Sequence, residues 1–191
     1  AAAEEGASRL CEAIGDSGEV ALIVQDSVSG NARERAEAFR QEIAEGHPGV
    51  SIVETIYMDQ LDEMKRQAAA EELGVTAEEL AAWTEEASGL GDGSDSDAEG
   101  ETLSEEATAK LGDSDSGAGA MSDEEAAAYY LSKHPELKGC FGTNADAVTL
   151  GLEALRTMEQ SEEIALVGFD AGKEQLEALE AGEIDGLVVQ N

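Results

Sequence analysis

The residue types best suited to chemistry in this 191-residue chain are two cysteines, two histidines and an acidic run with metal-loop spacing. Cys11 and Cys140 lie far apart and form no C-x-x-C pair. Cys11 shares a helical apolar face with Leu10 and Ile14, and Cys140 falls within an apolar strand segment. Two readings stand: buried free thiols, which behave as small hydrophobes, or a disulfide between them. Each histidine precedes a proline, His47-Pro48 and His134-Pro135, in turn-like sequence, so no metal site is read from them. Asp95, Asp97, Glu99, Gly100 and Glu106 match positions 1, 3, 5, 6 and 12 of a calcium-binding EF-hand loop. Thr102 stands where that loop prefers a hydrophobe, and so acidic a segment produces such matches by chance.

Bond-making chemistry has no signature. No G-x-S-x-G, H-E-x-x-H, P-loop or nucleophile–base pair occurs, so no enzyme and no cofactor is read from the sequence. Charge narrows the partners further. Eleven basic against 44 acidic residues give a net charge of −33, which repels nucleic acid and anionic membrane alike. Such a surface suits a salt- or cation-rich setting. No apolar run approaches the roughly 18 residues of a membrane span. The chain opens Ala-Ala-Ala-Glu-Glu without Met or an apolar leader, as a mature or excised chain would.

The elements that must position any site follow from periodicity. Ala7, Leu10, Cys11 and Ile14 repeat at helical spacing up to Gly15, and Val20–Val24 is a wholly apolar run typical of a doubly buried strand. A polar loop, Gln25–Asn31, leads to a helix carrying Ala32, Ala36, Phe39 and Ile43. A strand is expected at 51–56, then a helix capped by Asp59 and running to Leu73. Ser122 and Glu125 make a capping box for the next helix, followed by a strand at 138–142 and a helix at 145–157. A strand at 164–168, a helix at 173–181 ended by Gly182 and a strand at 184–189 complete the order. This alternation predicts an α/β fold, a three-layer α/β/α doubly wound domain with a mainly parallel sheet, whose ligands sit at the carboxyl ends of the strands.

One stretch breaks the alternation. Residues 62–121 read as an insertion: a helical extension, with a capping box at Thr76 and Glu79, then an acidic loop. Ser88–Ala120 holds seven Gly, six Ser and nine acidic residues without an aromatic, too little apolar surface to offset chain entropy.

Four segments in one order carry a family resemblance. Gln25-Asp-Ser-Val-Ser-Gly-Asn-Ala-Arg-Glu-Arg-Ala-Glu-Ala-Phe39, His134-Pro-Glu-Leu-Lys-Gly-Cys-Phe-Gly-Thr-Asn144, Ala165-Leu-Val-Gly-Phe-Asp170 and Ala178–Asn191 together resemble ribose-type sugar-binding proteins of the periplasmic-binding-protein type 1 superfamily. The resemblance implies a C-terminal lobe covering residues 1–191, a non-enzymatic substrate-binding component of an ABC-type importer that closes on a small sugar by a hinge. It implies a periplasmic or extracytoplasmic location, with lipoprotein anchoring of the parent, and as partners an ABC transporter permease and a missing N-terminal lobe.

Carried over residue by residue, it assigns Arg35, Asn144, Asp170 and Gln190 to the sugar. A fork of donors, two amides and a charged acceptor suit vicinal hydroxyls, which both donate and accept. Each also has a structural alternative: Arg35, like Arg33, as a solvated charge, Asn144 and Asp170 as helix caps, and Gln190 as a chain-end side chain. A stacking aromatic of the family would fall near Gln60, where this sequence departs from the pattern. The second reading of the same motifs is the effector-binding lobe of a LacI-type transcription regulator, from which Gly186-Leu-Val-Val-Gln-Asn191 departs toward the transport version.

Overall fold

The computed structural model describes residues 2–80, 121–160, 163–170 and 172–189. The chain divides into two compact units, residues 1–61 with 123–191, and residues 62–122. In the first unit α1 (Ala2–Ile14), β1 (Gly18–Val24), α2 (Gly30–Gly46), β2 (Val50–Tyr57) and a 3-10 turn (Met58–Gln60) precede α3 (Leu61–Leu73), which leads into the second unit. After it come α4 (Asp123–Ser132), β3 (Leu137–Gly142), α5 (Ala145–Thr157), β4 (Ala165–Phe169), α6 (Lys173–Ala181) and β5 (Gly186–Val188).

The five strands form one all-parallel sheet in the order β2-β1-β3-β4-β5. Parallel strands are covered on both faces, which is why β1 reads as an unbroken apolar run and is buried from Val20 to Val24. Helices α1 and α2 pack together over one face, and α4, α5 and α6 cover the other. The expected three-layer α/β/α fold is therefore present, its strands displaced by one residue or so at most ends. The last strand is shorter than expected: Ile184 and Asp185 precede it, and Asp185 instead exchanges two bonds with Leu166. Its amide donates to Leu166 O at 2.8 Å and its Oδ2 accepts from Leu166 N at 2.9 Å.

All three phenylalanines of the chain lie on the α1/α2 face. Phe39 and Phe141 stack with centroids 4.4 Å apart, and Phe169 meets Phe141 edge-on at 6.0 Å. Side chains alternate across a strand, so Cys140, next to Phe141, points to the opposite face while Cys11 lies in the phenylalanine cluster. The sheet separates the two thiols, and both are free and buried.

Of the second unit, α3 and the start of a further helix are described. There Thr76 and Glu79 form the expected capping box: Thr76 N and Oγ1 each donate to Glu79 Oε2 at 2.8 Å, and Glu79 N donates to Thr76 Oγ1 at 3.2 Å. The acidic loop 88–120 and the EF-hand-like run 95–106 lie outside the described residues. Among the described residues, no helix is long and apolar enough to cross a membrane.

Candidate functional site

From β1 the chain winds outward to β2 on one side, then returns to β3 and continues to β4 and β5 on the other. The winding reverses between β1 and β3, and loops diverge there to open a crevice at the carboxyl ends of the strands. Two glycines let α5 close down on that edge. A Cβ at Gly142 would lie 2.7 Å from Val148 Cγ2, and one at Gly168 only 2.0 Å from the same atom. With both positions bare, α5 seats its amino end directly over the ends of β3 and β4.

Thr143 ties the crevice together. It is 1% exposed, yet all its polar groups are used. Its amide donates to Ile23 O at 3.0 Å and its Oγ1 accepts from Gln25 N at 3.2 Å. Its carbonyl accepts from Arg35 Nη1 at 2.8 Å. The ends of β1 and β3 and the first turns of α2 thus meet at one residue.

Arg35 is partly buried, and its guanidinium carbon also lies 4.4 Å from the centroid of the Phe169 ring. A planar cation over an aromatic face is attracted by the ring quadrupole. The guanidinium therefore bridges the residues immediately before Asn144 and Asp170. It also lines a concavity of about 350 Å³ with Asn31, Glu34 and Phe169. Arg33, by contrast, is exposed.

Asn144 caps α5, its Oδ1 accepting from Ala147 N at 3.0 Å, which leaves its amide hydrogens for another acceptor. Asp170 does not cap α6, whose first flanking residue is Gly172. Its backbone is left-handed at φ 65°, its amide donates to Val188 O at 3.0 Å, and its carboxylate makes no hydrogen bond or ion pair among the described residues. Gln190 lies outside the described residues. Of the four sequence-expected residues, the fold thus brings the segments of Arg35, Asn144 and Asp170 to one edge.

The loop after β1 is pre-formed beside them. Asp26 Oδ1 accepts from Val28 N at 2.9 Å and from Ser29 N at 2.5 Å, and its Oδ2 accepts from Ser29 Oγ at 2.8 Å. The bonds from the Ser29 amide and hydroxyl, then Val28, hold the Asp26 carboxyl below its ordinary range. Asp59 is a correction to the sequence reading. Instead of capping α3, it sits in the 3-10 turn, and both its carboxylate oxygens accept from Ser27 N at 3.1 Å, with Oδ2 also 2.7 Å from Ser27 Oγ. Gln60, where the sequence resemblance expects an aromatic, is exposed.

Sequence reasoning missed Thr143 and Phe169. A threonine directly after the strand segment Leu137–Gly142 was the available signal for the first. The second had none, because a phenylalanine at a strand end reads as core.

No protein-family model and no curated protein matches the chain. Solved structures do. A carbohydrate-transporter solute-binding protein from Agrobacterium radiobacter, in complex with D-arabinose, superposes with a TM-score of 0.60 at 17% identity, covering 100% of this chain and 46% of that one. A solute-binding protein from Agrobacterium vitis, bound with α-D-tagatopyranose, gives 0.55 at 23% identity, covering 96% and 42%. AraP, an arabinose-binding protein from Geobacillus stearothermophilus, gives 0.57 at 17% identity, covering 96% and 42%. The chain has the fold of these proteins and spans less than half the length of each.

Proposed function

We propose that this chain is one lobe of an extracytoplasmic solute-binding protein that delivers a small sugar or related polyol to an ABC-type importer. The observation that carries the reading is the Arg35 guanidinium, held by Thr143 O and the Phe169 ring at the point where the winding reverses. Asn144 follows the first of these partners and Asp170 the second. A rigid donor fork, an amide with unspent hydrogens and a carboxylate without a partner among the described residues make a hydroxyl-recognising set. Gln190 completes it in this reading. Asp170 holds a left-handed backbone that a non-glycine residue seldom adopts, and such strain is retained where a side chain has work to do.

A binding module without catalytic role fits this set, which positions donors and acceptors and offers no nucleophile paired with a base. The edge also supports a second lobe. Val28 and Val189, two of the three large apolar side chains most exposed among the described residues, lie in the loops after β1 and β5 on the same edge. A facing N-terminal lobe would cover them as the hinge closes on sugar. The transport context of the similar structures supports an importer permease over the regulator alternative, and a lipid-anchored parent is part of the same proposal. The test is a titration of pentoses and hexoses followed by amide NMR of the chain. Shifts confined to residues 25–29, 35, 143–144, 169–170 and 190 with their neighbours support the reading, and their absence at millimolar sugar refutes it.

A further inference from the structure

At the opposite edge of the sheet, where β1 and β2 begin, the fold gathers three groups that the sequence keeps apart. Cys11 lies in the last turn of α1, Asp16 in the turn to β1, and His47 at the carboxyl end of α2. The Cys11 sulfur, an Asp16 carboxylate oxygen and a His47 ring nitrogen all lie within 4.8 Å of one another. We propose that Cys11, Asp16 and His47 form a binding site for one zinc-class divalent ion, a staple between the α1–β1 and α2–β2 turns.

The two turns are already held in place by backbone. Asp16 sits at a left-handed φ of 53°, its amide donating to Cys11 O at 2.8 Å, and Gly18 N donates to Gly49 O at 3.0 Å. His47 N donates to Ile43 O at 3.1 Å, and His47 O accepts from Val50 N at 2.9 Å. His47 Nδ1 is 2.8 Å from Asp16 Oδ1, and Nε2 faces Glu42 Oε1 at 3.9 Å. With Nδ1 on the ion, Glu42 therefore stands behind the ring as the orienting carboxylate that ligating histidines commonly have. Tetrahedral zinc with these donors sets ligand atoms about 3.3–3.8 Å apart, so the 2.8 Å Asp16–His47 pair opens by about half an ångström while the widest separation, at most 4.8 Å, draws in by up to about 1 Å. Water fills the fourth position.

Burial and charge agree with this assignment. Exposure grades from none at Cys11 to 15% for the His47 side chain and 62% for that of Asp16, giving a closed sulfur and an open entry. Asp16 and Glu42 place carboxylate charge around the site. The carboxylates that oppose a bare thiolate attract a cation, and the ion replaces the thiol proton, which leaves to water as the S–metal bond forms. Thiolate with imidazole selects a zinc-like ion over calcium or magnesium.

Cobalt(II) titrated into the whole chain tests the site, because a thiolate-to-cobalt charge-transfer band cannot come from the many carboxylates. The expected result is a band that saturates at one ion per chain, is displaced by zinc, survives Cys140→Ser and vanishes in Cys11→Ser. His47→Gln, at a surface turn and checked for folding by circular dichroism, keeps the test valid if Cys11→Ser fails to fold, and weakens cobalt binding at least about tenfold. No thiolate band, a band lost in Cys140→Ser instead, or wild-type affinity in His47→Gln overturns the proposal.

Discussion

Arg35 Nη1 donates to the carbonyl of Thr143 at 2.8 Å across 108 positions of sequence, joining the first turns of α2 to the end of β3. The same guanidinium lies over Phe169. Arg35→Ala removes a charged hydrogen bond and a cation–π contact together, so urea unfolding should register a loss of about 2–4 kcal/mol. Arg35→Lys should recover less than half of this, because an ammonium lacks the planar fork that meets both partners.

Thr143→Val keeps the shape of the side chain and deletes the acceptor for Gln25 N. The amide then loses its partner at a partly buried strand end, at a cost of about 0.5–1.5 kcal/mol in chemical denaturation. Faster hydrogen exchange at Gln25 should accompany it, and unchanged protection there would show that the bond is dispensable.

Asp170 separates stability from binding. Its left-handed backbone suits glycine, so Asp170→Gly should change unfolding free energy by less than about 1 kcal/mol. The β-branched Asp170→Val should cost more than about 1 kcal/mol. Both variants should lose the sugar-induced amide shifts. A glycine variant that keeps them would remove Asp170 from the site.

The sequence made the layers legible because a parallel sheet imposes strong patterns. The doubly buried run Val20–Val24 and the helices 145–157 and 173–181 announce themselves by apolar period and by the residues that end them. Asn144 was readable as a cap, which it is, and in the proposed reading its amide hydrogens remain for sugar. Asp59 was misread because a carboxylate before a helix looks like a cap, and its true partner, Ser27, is 32 positions away. Thr143 was overlooked for a similar reason: its bonds run to Ile23, Gln25 and Arg35, none of them local. The Cys11–Asp16–His47 cluster has no spacing motif at all, since its members meet only once two turns are folded side by side.

Asp26 gives a defined pH response. Its folded carboxyl is held below the ordinary value by Ser29 and Val28, so the stability it adds is present above the unfolded value of about 4. That contribution is lost as pH falls through the lower folded value. The difference in melting temperature between wild type and Asp26→Asn should therefore be largest near neutrality and shrink on acidification. A difference independent of pH would place the effect elsewhere.

Net charge sets the response to salt. With −33 charges on one chain, self-repulsion opposes the compact state. The screening length falls from about 8 Å at 0.15 M to about 3 Å at 1 M salt. Melting temperature should accordingly rise between these concentrations in sodium chloride, and a flat or falling profile would contradict the argument.

The pairing of β1 with both β2 and β3 also governs how quickly the sheet can assemble. Val20 pairs with Ile52 in β2 but with Gly139 in β3, so the second partner arrives only after a long excursion of the chain. Closing that excursion is a search paid in chain entropy before any contact rewards it. The five strands of the described sheet lie outside Ser88–Ala120, so removing that segment should spare the sheet and shorten the search. Logarithmic scaling of closure entropy puts the saving near about 0.5 kcal/mol, or about a twofold faster refolding phase in stopped-flow measurements. The connection between β2 and β3 thus acts as a clock on folding, delaying the meeting of the two central strands without altering which strands meet.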